Sequence, residues 1–247
     1  MSTEKKVALI TGANKGLGLE TARQLGKEGI TVLIGARDAG RGNKAVDELK
    51  NQGMDAQYVH LDLEEPATFI EAYKLIESQY GKLDILVNNA GINGEKSEWG
   101  ENTVARTTQV DLRQTFDTNF FNLIELTQIL LPLIEKAHAG RIVNLSSILG
   151  SLELHASPGS PIYNMKGFAY DASKTALNQF TVHLAHALKD TNVKVNSAHP
   201  GWVKTDLGTD AAPMEVKDGA KTSVWLATLP ADGPSGGYFH MQDRLPW

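Results

Sequence analysis

Tyr170 and Lys174, four positions apart in Tyr170-Asp-Ala-Ser-Lys174, are side chains whose types and spacing suit proton transfer. The stretch continues Thr175-Ala-Leu-Asn-Gln-Phe180 in a helical pattern, so both groups should share one helix face. A phenol of ordinary pKa about 10 is a poor base at neutral pH, and a neighbouring ammonium favours its phenolate. Taken alone, the pair describes a surface tyrosine beside a solvated lysine equally well. Its company changes that balance: Asn88-Asn-Ala-Gly91, Asn119 in Asp117-Thr-Asn-Phe-Phe121, Ser146-Ser147 and Pro200-Gly201. Several of these stand at the carboxyl ends of predicted strands, where open α/β sheets bind ligands.

A second group belongs to phosphate chemistry. Val7-Ala-Leu-Ile10 reads as a strand, Thr11-Gly-Ala-Asn-Lys-Gly-Leu-Gly18 as a glycine loop, and Leu19-Glu-Thr-Ala-Arg-Gln-Leu25 as the helix that follows. Gly12 permits a tight turn, while Gly16 and Gly18 let backbone approach a pyrophosphate at a helix N-terminus. Three glycines could merely shape a turn; the flanking strand and helix favour a dinucleotide. The next strand ends Gly35-Ala-Arg37 with no carboxylate before Asp38. NAD-binding units place an acidic residue there for the ribose 2′-hydroxyl, whereas the Arg37 guanidinium can grip a 2′-phosphate, with Lys15 as a second cation. The expected cofactor is therefore NADP(H), whose oxidised nicotinamide would act on Tyr170 in the same direction as Lys174.

The elements that must position these groups alternate along the chain. Val7–Ile10, Thr31–Ile34, Ala56–His60, Leu83–Val87, Arg141–Leu145 and Val193–Ser197 are short β-branched or apolar runs separated by helical patterns. Together with a last strand near Tyr238-Phe-His240, they predict one Rossmann-type α/β domain over residues 1–247, a doubly wound parallel sheet of about seven strands flanked by helices. From Gly150 to about Phe168 no period is evident, and the segment, carrying Ser157-Pro-Gly-Ser-Pro161, reads as a long loop. The 247 residues are 41% hydrophobic and 21% charged, enough apolar material for a packed core. A net charge of -5 without a basic run argues against nucleic acid and anionic membranes as partners. The absence of cysteine excludes disulfides, thiolate zinc sites and cysteine nucleophiles, and fits a reducing cytoplasm. Neither a signal peptide nor a membrane span is read from the sequence.

With Thr11 to Gly18, Asn88 to Gly91, Ser147, Tyr170 and Lys174 in this order, the chain resembles the short-chain dehydrogenase/reductase family over nearly its whole length. The resemblance implies that Tyr170 is the general acid in reduction, that Ser147 hydrogen-bonds the substrate carbonyl, and that Lys174 lowers the Tyr170 pKa and holds the nicotinamide ribose. Asn119 matches the asparagine of a proton relay to Lys174, with Asn122 near enough to compete; Ser146 would be a structural hydroxyl. It further implies cofactor contacts from Gly12, Asn14, Lys15, Gly16, Leu17, Gly18 and Arg37. Asp62, in Leu61-Asp-Leu63, would receive the adenine amino group, with Leu63 beside it; Asn89, Ala90 and Gly91 would line a ribose. Pro200, Gly201, Val203 and Thr205 would bind the carboxamide.

Twenty-three positions separate Ser147 from Tyr170, more than in most of the family. This insertion, with Asn14-Lys15, Ala36-Arg37-Asp38 and Gly236-Gly-Tyr-Phe239, resembles the subgroup of carbonyl, menthone and salutaridine reductases, which implies reduction of a ketone, aldehyde or quinone. In longer-insert relatives the segment covers a helix face that others use for assembly, so a homo-oligomer stays open here. Two other functions compete: an NAD(P)-dependent alcohol, sugar or steroid dehydrogenase working oxidatively, and a non-catalytic NADP(H)-binding sensor. His183 and His186, three apart, lack further ligands and are read as helix-surface residues, with no metal expected. Asp206 is expected to cap a helix, and Trp202 to be either a substrate wall or core.

Overall fold

Apolar residues alternate sides along the first strand, and that alternation builds the molecule. The computed structural model describes residues 5–95 and 103–247. In β1 (Val7–Thr11), Ala8 and Ile10 join one buried cluster and Val7 and Leu9 another, so both faces of the sheet are covered. The first cluster takes residues from α1 (Gly16–Lys27), α2 (Ala39–Asn51) and α9 (Lys221–Ala227); the second takes them from α3 (Ala67–Tyr80), α5 (Asn122–Glu135) and α7 (Phe168–Ala187).

The remaining strands are β2 (Thr31–Ala36), β3 (Ala56–His60), β4 (Ile85–Asn88), β5 (Arg141–Leu145), β6 (Lys194–His199), β7 (Gly237–His240) and β8 (Asp243–Arg244). They lie in the order β3-β2-β1-β4-β5-β6-β7-β8. All neighbours pair in parallel except β7 with β8, a two-residue antiparallel strand beyond the expected seven. The chain reverses direction of winding between β1 and β4, which opens a crevice at their carboxyl ends.

Two local departures from the sequence expectation bear on the site. A 3-10 turn at Ile148–Gly150 leads into the stretch expected as loop, which carries a helix α6 (Leu152–Ala156), capped by the Ser151 side chain accepting from the Leu154 N–H at 3.2 Å. A helix of five residues is too short to show a hydrophobic period, which is why the pattern was silent there. The insertion packs down: Leu149, Ile162 and Tyr170 form a third buried cluster, with Ile148, Leu154 and Met165 against it. Between α4 (Gln109–Phe116) and α5 the chain makes one π-helical stretch, Asp117–Phe121. Among the described residues, no helix is long and apolar enough to cross a membrane.

Candidate active site

The glycine loop leaves β1 through two left-handed glycines, Gly12 at φ 63° and Gly16 at φ 56°. Gly18 lies inside α1, and a Cβ there would stand 2.6 Å from Asn89 Nδ2 and 2.7 Å from the Gly12 carbonyl. That contact is what brings the loop against the end of β4: Asn89 Nδ2 donates to Thr11 O at 2.7 Å, and Thr11 Oγ1 accepts from the N–H groups of Asn89 and Ala90. Lys15 occupies the N-cap of α1 without a side-chain cap, so the first-turn N–H groups have no side chain from that position to receive them. Asn14 and Leu17 are half-buried in the same loop.

Arg37 is exposed just past β2, and the Asp38 carboxylate beside it is committed to its own helix, accepting from the Arg41 N–H at 2.7 Å. The positive charge at this strand end is therefore not answered by its neighbour. Lys15 differs from expectation, because its ammonium pairs with Asp206. Asp206 caps no helix; it sits in a turn after β6 and reaches back to the glycine loop. At the next strand end, Asp62 Oδ1 accepts from the Glu64 N–H at 3.0 Å, and Leu63 O accepts from Asn122. Asn122 is thus engaged with the backbone after β3.

Asn119, by contrast, is fully buried within the π-helical stretch. Its Oδ1 accepts from the Ile92 N–H at 2.8 Å, and its Nδ2 donates to Ile92 O at 2.8 Å and Ser173 Oγ at 3.0 Å. A Cβ placed on Gly91 would meet Asn119 Oδ1 at 3.2 Å and Lys174 Nζ at 3.3 Å, so the two side chains converge on that glycine. The π-helical turn is a feature often found where a site interrupts a regular helix.

Tyr170 and Lys174 lie one turn apart on α7, both buried, with Lys174 Nζ 5.5 Å from the centre of the Tyr170 ring. Lys174 Nζ donates to Leu145 O at 2.8 Å, the last residue of β5. Two residues on, the Ser147 side chain is hydrogen-bonded to the Tyr170 phenol. Burial pushes the Tyr170 phenol well above its ordinary value, an effect offset in part by Ser147 and reinforced by Asp171. In the chain by itself, burial opposes the phenolate that a neighbouring ammonium and an oxidised nicotinamide are expected to favour. Burial brings Lys174 down to about 8.

The segment after β6 arches toward the glycine loop. Gly201 adopts φ 95°, buried Val203 bridges to Met214, and Thr205 Oγ1 accepts from the Gly208 N–H at 3.1 Å. A Cβ on Gly16 would lie 3.8 Å from Thr205 Cγ2, which places Pro200–Thr205 over the loop. Trp202 is not core: it is 56% exposed, with its indole N–H donating to Gly208 O. Ser146 Oγ is buried without a partner. His183 and His186 are exposed on α7, and no group of three potential metal-binding side chains occurs among the described residues.

The sequence reading missed several residues around this centre. Asp171, next to Tyr170, is held up to about 8 by burial and then by Glu95, with Lys166 and the Gly167 N–H opposing. Its Oδ2 lies 3.3 Å from His155 Nε2, on the insertion. His199 precedes Pro200 and is brought down to about 3 by burial and by His240; its Nδ1 accepts from the Ile148 N–H at 3.1 Å. Only the position of His199, between a strand end and a Pro-Gly pair, was a usable signal; Asp171 and Glu95 meet through tertiary packing.

A family model described as short chain dehydrogenase matches residues 6–216. The chain is 33% identical to short-chain dehydrogenase/reductase 1 of Saponaria officinalis, covering 99% of this chain and 97% of that protein. It is 31% identical to carbonyl reductase (NADPH) 1 of Mus musculus over 100% of both chains. Among solved structures, salutaridine reductase from Papaver somniferum superposes with a TM-score of 0.81 at 28% identity, covering 95% of this chain and 99% of that one.

Proposed function

The chain belongs to the short-chain dehydrogenase family, and from that premise we propose that it reduces a ketone, aldehyde or quinone carbonyl to the alcohol with NADPH. The observation that carries the reading is the convergence of Ser147, Tyr170 and Lys174 at the carboxyl end of β5, on a sheet whose first two strands end in a glycine loop and an arginine that suit a phosphorylated dinucleotide. The cradle fits the cofactor: backbone at Gly18 comes too close to Asn89 for any side chain, Lys15 at the N-cap of α1 sends no side chain to its first-turn N–H groups, and Arg37 makes no ion pair among the described residues.

NADPH, when bound, supplies a hydride to the carbonyl carbon. The chain's own residues do the rest. Tyr170 holds its proton firmly in this buried setting and gives it to the carbonyl oxygen as charge develops there. Ser147 donates a hydrogen bond to the same oxygen, a contribution of the oxyanion-hole type worth about 3 kcal/mol. Lys174 returns a proton toward Tyr170, and Asn119 fixes Ile92, next to Gly91, and Ser173 around it. Gly12, Asn14, Gly16, Leu17 and Gly18 receive the pyrophosphate; Arg37 receives the 2′-phosphate, joined by Lys15 once its ammonium exchanges Asp206 for the phosphate. Asp62, Leu63, Asn89, Ala90 and Gly91 take the adenosine end. Pro200, Gly201, Val203 and Thr205 orient the nicotinamide. The insertion at 150–168 packs on Tyr170 and forms one wall of the substrate site.

A small-molecule partner in place of nucleic acid accords with the net charge of -5. The oxidative dehydrogenase and the non-catalytic sensor are not favoured: the relatives include named carbonyl reductases, and the hydrogen bond between Ser147 and Tyr170 supports a catalytic reading. The test is NADPH and NADH oxidation against a panel of ketones, aldehydes and quinones. Turnover with NADPH exceeding that with NADH is the expected result; turnover on no panel member, with the cofactor bound, would overturn the reading.

A further inference from the structure

The peptide unit between Ser147 and Ile148 is gripped at both of its polar ends by side chains from other strands. Its N–H, on Ile148, donates to His199 Nδ1 at 3.1 Å. Its carbonyl oxygen, on Ser147, accepts from the Tyr238 hydroxyl. Tyr238 lies on β7, two strands away from β5, and is completely buried. In the sheet it falls in the row of Ser197 and Asn144, and its phenol spans from there to the turn beyond β5.

A buried phenol needs some acceptor, so the bond could serve Tyr238 alone. Two observations point the other way. The Ser147 carbonyl already receives the Gly150 N–H at 2.8 Å, which closes the 3-10 turn, so the second donor is not required to satisfy it. The ring is also braced on its own account: Trp247 stacks on it at 5.4 Å and 16°, and the Trp247 main-chain oxygen accepts from the Glu153 N–H of α6 at 2.9 Å. The phenol is thus held between the inserted helix and the serine turn. Burial keeps both grips in one protonation state near neutrality, with Tyr238 a donor and His199 a neutral acceptor.

We infer that Tyr238 is a positioning residue which, opposite His199, clamps the Ser147–Ile148 peptide and so sets the Ser147 hydroxyl against Tyr170. The inference rests on the reductase reading for its effect on rate. Rotation of this peptide would swing Ser147 Oγ, whose other contact is the Leu149 N–H at 3.3 Å, and an ångström of misplacement can cost about 100-fold in rate.

Tyr238→Phe removes the grip and keeps the stacked ring. The expected result is a kcat lowered about tenfold or more, an unchanged KM for NADPH, and faster amide exchange confined to residues 146–151. Placed on Ser147→Ala, the same substitution should change kcat less than about twofold, because the residue it acts through is gone. His199→Asn, whose Oδ1 stands near the place of Nδ1, should stay close to wild type, while His199→Leu should behave like Tyr238→Phe. An undiminished Tyr238→Phe effect in the Ser147→Ala background, or unchanged exchange at 146–151, overturns the clamp. Exchange that rises at this turn in an enzyme that reduces no carbonyl sustains the clamp and sinks the reductase reading instead.

Discussion

Replacing Asp171 by Asn should make the protein more stable at alkaline pH and flatten its pH dependence. The carboxyl is buried at the start of α7 beside Tyr170, with Oδ1 unpartnered, and ionises at about 8 against an ordinary 3.8. A tenfold change in proton affinity is worth about 1.4 kcal/mol, so full ionisation in this site costs the fold on the order of 6 kcal/mol as a ceiling. Relaxation and water entry reduce the observed cost to about 2 to 3 kcal/mol. The sign follows from a folded value raised above the unfolded one: the unfolded chain releases its proton first, so the contribution is complete below about 4 and is lost as pH rises through 8. Denaturant midpoints across this range should fall for the wild type and change less for Asp171→Asn. The substitution also removes a charge that raises the Tyr170 pKa, so the alkaline limb of the reduction rate should move down. Parallel stability profiles for the two proteins would refute the argument.

Two further outcomes follow from the cofactor cradle. Arg37→Ala should weaken NADPH binding by about tenfold to a hundredfold, the worth of a charge-assisted contact, and leave NADH binding unchanged in a fluorescence titration. Gly18→Ala forces a Cβ to 2.6 Å from Asn89 Nδ2 and 2.7 Å from the Gly12 carbonyl; it should lower stability by about 1 to 3 kcal/mol and abolish NADPH binding at concentrations that saturate the wild type, read by thermal unfolding with and without cofactor.

Much of the fold was legible because its signals are local. Apolar alternation in β1 and β2, glycine punctuation after β1 and a regular strand-helix rhythm each act over a few residues, and the observed strands begin within two residues of the expected ones. The proton-transfer groups were legible because one helical turn joins Tyr170 to Lys174, while Ser147 and Asn119 came from the resemblance. What the sequence withheld depends on packing. The direction of the Tyr170 shift turns on how completely the phenol is buried, which no spacing reveals. Asp206 meets Lys15 across 191 positions, so its pairing could not be foreseen and a cap was expected. Tyr238 reaches Ser147 across 91 positions, and the sequence marked it as a strand residue within a stretch shared with the carbonyl reductase subgroup, with no sign of that contact.

The most direct measurement of the central claim follows the hydride itself, using NADPH deuterated at the transferring C4 position, a ketone substrate, and the wild type beside Tyr170→Phe. The account predicts deuterium on the carbinol carbon of the wild-type product, and a rate about 100-fold to 10,000-fold lower in Tyr170→Phe with NADPH affinity retained. Product lacking deuterium at that carbon, or a Tyr170→Phe enzyme as fast as the wild type, would contradict it.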